Sequence, residues 1–179
     1  MARLLDCAPV LDLPSEALVQ GERVRLRANQ VIAWVTLTHP DVNLVNPTRV
    51  PFPVILDTGH THTFSIQRRH LIEWAGVQPD GLPVAGLIRE GGHRLELRFA
   101  NIWLHANEPQ SRDRLSDRPP YPVGADRGIA VYPTGVDFPR LPILGLRAIT
   151  HNRLVLKING HRREASLRTA FRWWPFASR

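Results

Sequence analysis

The 179-residue chain contains one cysteine, Cys7. That excludes an intramolecular disulfide and any metal site built on several thiolates. It contains one lysine, Lys157, so nearly all its positive charge is arginine. No apolar run approaches the roughly 20 residues that span a bilayer as a helix. The opening residues, Met1-Ala2-Arg3-Leu4-Leu5-Asp6-Cys7, hold no stretch of signal-peptide length. The expectation is a soluble, cytoplasmic protein with no membrane span. What is abundant is punctuation: sixteen prolines and twelve glycines, the prolines at nearly twice the usual share. Such a chain favours short strands joined by turns over a helical bundle.

The net charge of +7 is unevenly spread. Residues 1–146 balance 15 basic against 15 acidic side chains, while residues 147–179 set eight basic side chains against Glu164 alone. An excess confined to one end reads either as a docking face for an anionic partner or as a solvated arginine-rich surface. Because the first 146 residues are neutral, nucleic acid is not the expected partner.

Residues 1–21 read as a loose, proline-punctuated lead-in. Glu22 to Arg27 alternates polar and apolar, and Val31 to Thr38 is β-rich, so the two are expected to form a hairpin. Val54-Ile55-Leu56 is an apolar triplet that suits a strand buried on both faces. Residues 67–75, followed by Gly76, carry the best helix pattern. Val84 to Ile88 and Arg94 to Leu104 read as strands around a Gly91-Gly92 turn. Residues 107–127 lack apolar periodicity and read as a long surface loop. Ile129 to Tyr132 is a short strand. Arg153 to Ile158 and His161 to Leu167 flank Asn159-Gly160, a strong hairpin signal. Phe171-Arg172-Trp173-Trp174-Pro175-Phe176 lies in a basic aromatic tail, residues 169–179, expected to meet the core or a dimer partner. Trp34, Trp74 and Trp103 fall inside strands or the helix and are expected to be core.

The chemistry concentrates at Asp57-Thr58-Gly59. A carboxylate at the end of a buried strand is costly to ionise, and burial would raise its pKa. The same tripeptide also makes a good turn, with the aspartate accepting a local backbone bond. Two residues further on, His60 and His62 point to one side of an extended segment. A His-x-His pair can ligate a metal, but no third and fourth ligand stands at a telling spacing, so no metal and no cofactor are expected. His60 is read as a polar surface residue or as a group that tunes the site.

The order of these features resembles the retropepsin-like aspartic proteases. In that family an apolar triplet precedes Asp-Thr-Gly, hydroxyl-rich residues and a short helix follow, then a glycine-tipped flap, an apolar pair plus glycine, a second short helix and a last hairpin. Here the matches are Val54-Ile55-Leu56, Asp57-Thr58-Gly59, Thr61 and Ser65, residues 67–75, the hairpin around Glu90-Gly91-Gly92-His93, Ile143-Leu144-Gly145, and residues 146–150. The resemblance covers residues 22–168. It implies a mainly β fold, an acid-protease-like closed barrel with a flap hairpin and one or two short helices. It also implies an aspartic endopeptidase acting on a peptide or protein. Only one Asp-Thr-Gly is present, so the family's two aspartates would come from two copies in a homodimer. By resemblance, Asp57 is catalytic, Thr58 braces the pair, Gly59 permits close approach, the flap at Glu90 to His93 covers the substrate, and Ile143, Leu144 and Gly145 support the site. Two departures stand out: His60 replaces the family's usual small residue, and residues 107–127 are an insertion. The contrasting function class is a catalytically inactive barrel that holds a peptide in the same cleft, or an anionic partner through its tail.

Overall fold

In the computed structural model, which describes residues 2–43 and 49–170, the apolar alternation resolves into fourteen strands and two short helices. The first strands are β1 (Arg3–Pro9), β2 (Ser15–Val19), β3 (Glu22–Leu26) and β4 (Ile32–Thr38). Next come β5 (Phe52–Asp57), β6 (Phe64–Gln67) and helix α1 (Arg68–Glu73). The middle of the chain gives β7 (Val84–Glu90), β8 (His93–Arg98), β9 (Asn101–His105) and β10 (Tyr121–Val123). It ends with β11 (Ile129–Tyr132), β12 (Ile143–Gly145), helix α2 (Leu146–His151), β13 (Leu154–Asn159) and β14 (Glu164–Thr169). The protein is mainly β, as its composition predicts.

Nine strands form one sheet in the order β10-β9-β4-β5-β12-β6-β11-β8-β7. Its centre mixes directions. β12 runs parallel to β5 and antiparallel to β6, and β6 runs parallel to β11. β4 is buried at all seven positions, and Phe52, Val54 and Leu56 of β5 are buried too. These central strands are therefore covered on both faces, which is why they read as continuous apolar runs. Phe52, Phe64 and Leu144 are fully buried, each contributing roughly 1.5–3 kcal/mol of transfer free energy.

The expected closed barrel is not what the chain forms. The large sheet has two separate edges, β10 and β7, and closure would require them to pair. β10 is only three residues long, and β7 leaves Val84 and Leu87 exposed. Two smaller sheets lie alongside, β1-β14-β13 and β2-β3.

Several local expectations change. Residues 1–21 are not loose. β1 pairs with β14 through Ala8↔Ala165 and Pro9↔Glu164, and β2 pairs with β3 across the Gln20-Gly21 turn. β3 therefore does not pair with β4, whose neighbours are β5 and β9. The stretch Arg94 to Leu104 breaks at Phe99-Ala100 into β8 and β9. Asn159 pairs with Glu164, so the last turn is Gly160 to Arg163 and not the two residues Asn159-Gly160. Within 107–127, Asn107, Ser111 and Arg112 are buried. The Arg112 guanidinium donates to Ser15 Oγ at 2.8 Å, and its backbone carbonyl accepts from Trp34 Nε1 at 2.7 Å. Trp34 and Trp74 are buried and Trp103 is half-buried. The aromatic tail, residues 171–179, lies outside the described residues. Among the described residues no helix is long and apolar enough to cross a membrane.

Candidate active site

Asp57 is the last residue of β5, where the strand emerges from the core. The strand is gripped from both sides: Ile55 N–H donates to Pro142 O and Leu56 N–H to Val31 O, both at 2.9 Å. Beyond it the backbone turns. The Asp57 carboxylate Oδ1 accepts from Gly59 N–H at 2.8 Å, and Asp57 O accepts from His60 N–H at 3.3 Å. This is the local aspartate turn that the tripeptide favours. Asp57, Thr58 and Gly59 are exposed in the single chain. The expected burial of this carboxylate is therefore corrected, because the turn carries it out of the core.

Ile143, Leu144 and Gly145 lie directly beside this strand, paired with Ile55, Leu56 and Asp57. Gly145 is where the two chain segments come closest. Its N–H donates to Thr63 O at 3.1 Å, and Leu146 N–H donates to His60 O at 2.8 Å. A Cβ on Gly145 would run into the His62 carbonyl oxygen and would lie 2.6 Å from that of His60. The glycine is required by close backbone approach, not by an unusual φ.

His60 turns inward. It is buried, and its Nε2 lies 2.7 Å from Ser65 Oγ. Its pKa is lowered, first by burial and then by the charge of His62, while Glu90 and Asp57 pull the other way. The reading of His60 as a surface residue is thus corrected, because the Ser65 hydroxyl supplies the partner that lets an imidazole be buried. His62 stands edge-on to it, with ring centroids 5.3 Å apart.

The hairpin of β7 and β8 brings a further carboxylate to this place. Glu90 pairs with His93 across the Gly91-Gly92 turn, and both glycines have positive φ (56° and 82°), as a tight two-residue hairpin demands. Glu90 Oε2 lies 2.6 Å from His62 Nε2. The hairpin tip is therefore tied to the segment that follows Asp57. Tyr132 in β11 is buried beside the same carboxylate; burial, reinforced by the Glu90 charge, raises its pKa. Gly91, Gly92 and His93 are exposed and touch no other group of the site through a hydrogen bond among the described residues.

The fold thus brings Asp57, His60, His62, Glu90 and Gly145 together from three separate stretches of sequence. Ser65 was read as one of the hydroxyl residues after the tripeptide, but its bond to His60, the place of Tyr132 and the His62–Glu90 contact were not legible beforehand. The contact joins residues 28 apart, and no local pattern encodes such a pairing. Among the described residues no group of three or more histidine, cysteine or acidic side chains is placed to hold a metal ion. The arrangement holds an exposed carboxylate in a turn, and the segment that follows it is tied to a hairpin tip through His62 and Glu90. No family model, curated protein or solved structure matches the chain.

Proposed function

We propose that the protein is an aspartic endopeptidase of the retropepsin-like kind, with an acid-protease-like arrangement completed by a homodimer. One observation carries this reading. Asp57 ends a buried strand, is oriented by Gly59 N–H, and pairs with Gly145 of the parallel strand β12. The exposed carboxylate then becomes half of a site, and a two-fold axis through the turn supplies the other half.

In such a dimer the two Asp57 carboxylates share one proton, because like charges about 3 Å apart do not both ionise. The ionised member takes a proton from water, and that water attacks the peptide carbonyl. The protonated member keeps its proton and hydrogen-bonds the carbonyl oxygen; when the C–N bond breaks, the leaving amine takes the proton that the first carboxylate removed from water, which restores the pair. The pair titrates as a unit, so neither pKa belongs to one chain. Thr58 bonds across the dimer to brace the pair, and the hairpin carrying Glu90 to His93 acts as the flap.

The test is incubation of the purified protein with a mixed peptide library between about pH 4 and 7, where coupled aspartates carry one proton. Cleavage should appear, should depend on protein concentration as a dimer requires, and should vanish in Asp57→Asn. Cleavage that persists in Asp57→Asn overturns the mechanism. Peptide retention without cleavage in either form supports the inactive binding module instead.

A further inference from the structure

Away from the Asp57 turn, a groove of about 550 Å³ is lined by Arg27, Gln67, Arg69, the segment 133–137 and Arg140. Three arginines and one acidic residue, Asp137, are among the lining. Two half-buried arginines elsewhere meet carboxylates closely: Arg68 with Asp80 and Arg147 with Asp126, each at 2.6 Å. Among the described residues Arg27 and Arg140 have no such ion pair, and Arg69 stands 3.9 Å from Glu73. Concave walls lined by one sign of charge focus potential onto the enclosed space.

The walls are held in place. The turn after β3 is closed by Arg27 N–H donating to Gln30 Oε1 at 3.0 Å, and buried Arg112 reaches the carbonyls of Arg27 and Gln30 at 3.5 and 3.4 Å. The opposite wall is fixed by Gln67 Nε2 donating to Val136 O at 3.1 Å and by Phe138 packed edge-on to Tyr132 at 5.3 Å. A site whose walls are ordered before binding loses less entropy when it is filled. Both walls run into the strand that ends at Asp57. The turn at 27–30 leads to Val31, whose carbonyl accepts from Leu56 N–H, and the 133–140 segment leads to Pro142, whose carbonyl accepts from Ile55 N–H.

We propose that this groove is a subsite for a carboxylate, taken from an acidic side chain of a peptide held at the Asp57 site. Resting on the endopeptidase reading for the peptide nature of the ligand, it makes acidic sequences the preferred substrate class. The planar fork of arginine suits a carboxylate through paired N–H donors. Inorganic phosphate offers the same anionic oxygens, and the test separates the two.

The test measures binding, not cleavage, and uses full-length Asp57→Asn protein with labelled decapeptides of alternating Ala-Glu or Ala-Gln. The Glu peptide should bind about tenfold more tightly at low salt, falling toward parity at high salt. Arg27→Gln/Arg140→Gln should erase most of that preference. Arg118→Gln, an exposed position before the edge strand β10 and outside the groove, should leave the preference intact although it removes the same kind of charge. Asp137→Asn should strengthen binding of the Glu peptide, an outcome that damage to the fold does not produce. Equal affinity for the two peptides overturns the proposal, as does an equal effect of Arg118→Gln. Arginine-dependent binding of inorganic phosphate with no discrimination between the peptides overturns the peptide source. Discrimination without any cleavage by the wild-type chain leaves the subsite standing and removes the endopeptidase reading. Cleavage without discrimination does the reverse.

Discussion

Gly145 sits opposite Asp57 across the parallel ladder of β5 and β12, with the carbonyls of His60 and His62 closing over the space where its side chain would be. The position of the Asp57 turn thus depends on a residue 88 places away having no Cβ. Gly145→Ala should cost about 1–3 kcal/mol, the range typical when extra volume is forced into a packed core. Urea unfolding of the variant measures it. A loss below about 0.5 kcal/mol would mean that the 60–63 segment moves aside freely, and Gly145 would then not set the site.

Asp57→Asn should separate chemistry from folding. The asparagine keeps an oxygen that can accept from Gly59 N–H, so the turn survives. Thermal midpoint should change little, whereas peptide hydrolysis should fall by about a thousandfold or more, the scale of general acid–base contributions. The paired readout matters. Lost activity with a large drop in midpoint would show only that the turn had collapsed.

How much of this was legible beforehand varies with the distance over which each feature is encoded. Asp57 at the end of an apolar strand, the Gly91-Gly92 turn, the helix before Gly76 and the Ile143-Leu144-Gly145 step are local patterns, and each falls where it was read. β1 was not legible because its partner is β14, more than 150 residues away, and because Cys7 at φ 50° and two register shifts break its alternation. Arg112 misled for another reason. It is a charged residue in a proline-rich stretch, yet it is buried: Ser15 Oγ and the carbonyls of Arg27 and Gln30 accept from its Nη1 and Nη2, and its Nε is left without a partner among the described residues. Polar burial of that kind leaves no hydrophobic period to detect. The open sheet is also a long-range outcome, since closure depends on whether the two edge strands meet.

The His62–Glu90 contact should act as a tether for the hairpin tip. Both side chains are partly exposed, so water screens the pair and its coupling should be about 0.5–1 kcal/mol. A double-mutant cycle with His62→Ala and Glu90→Ala measures that coupling. Glu90→Gln should raise amide hydrogen exchange around Gly91 and Gly92 a few-fold while leaving β4 and β5 unchanged. If exchange at the tip is the same in Glu90→Gln, the tip is held by its strand ladder alone. If peptide cleavage is observed, the same variant should raise KM more than it lowers kcat, since a looser roof weakens substrate retention before it affects the Asp57 carboxylates.

Buried histidines set the acid limit of stability. His70 is fully buried on α1, stacked on Trp74 with ring centroids 3.7 Å apart. Its Nε2 lies 3.2 Å from Arg69 Nη2 and its Nδ1 has no partner among the described residues. Burial, then the Arg69 charge, lowers its pKa from 6.5 to about 4. Burial also lowers those of His60 and His105. A histidine whose folded pKa is lowered is protonated more readily when unfolded. The unfolded chain therefore binds more protons as pH falls below about 6.5, and stability drops with it until the native imidazole also titrates, near 4 for His70. Above about pH 7 these groups contribute no slope. His70→Phe keeps an aromatic ring against Trp74 and removes the titrating nitrogens. Its unfolding free energy should fall less than that of the wild type between pH 7 and 4, by up to about 3 kcal/mol. Comparing the two chains cancels the carboxylates that titrate in the same range. Parallel stability curves for the two would show that His70 is not the group that sets this limit.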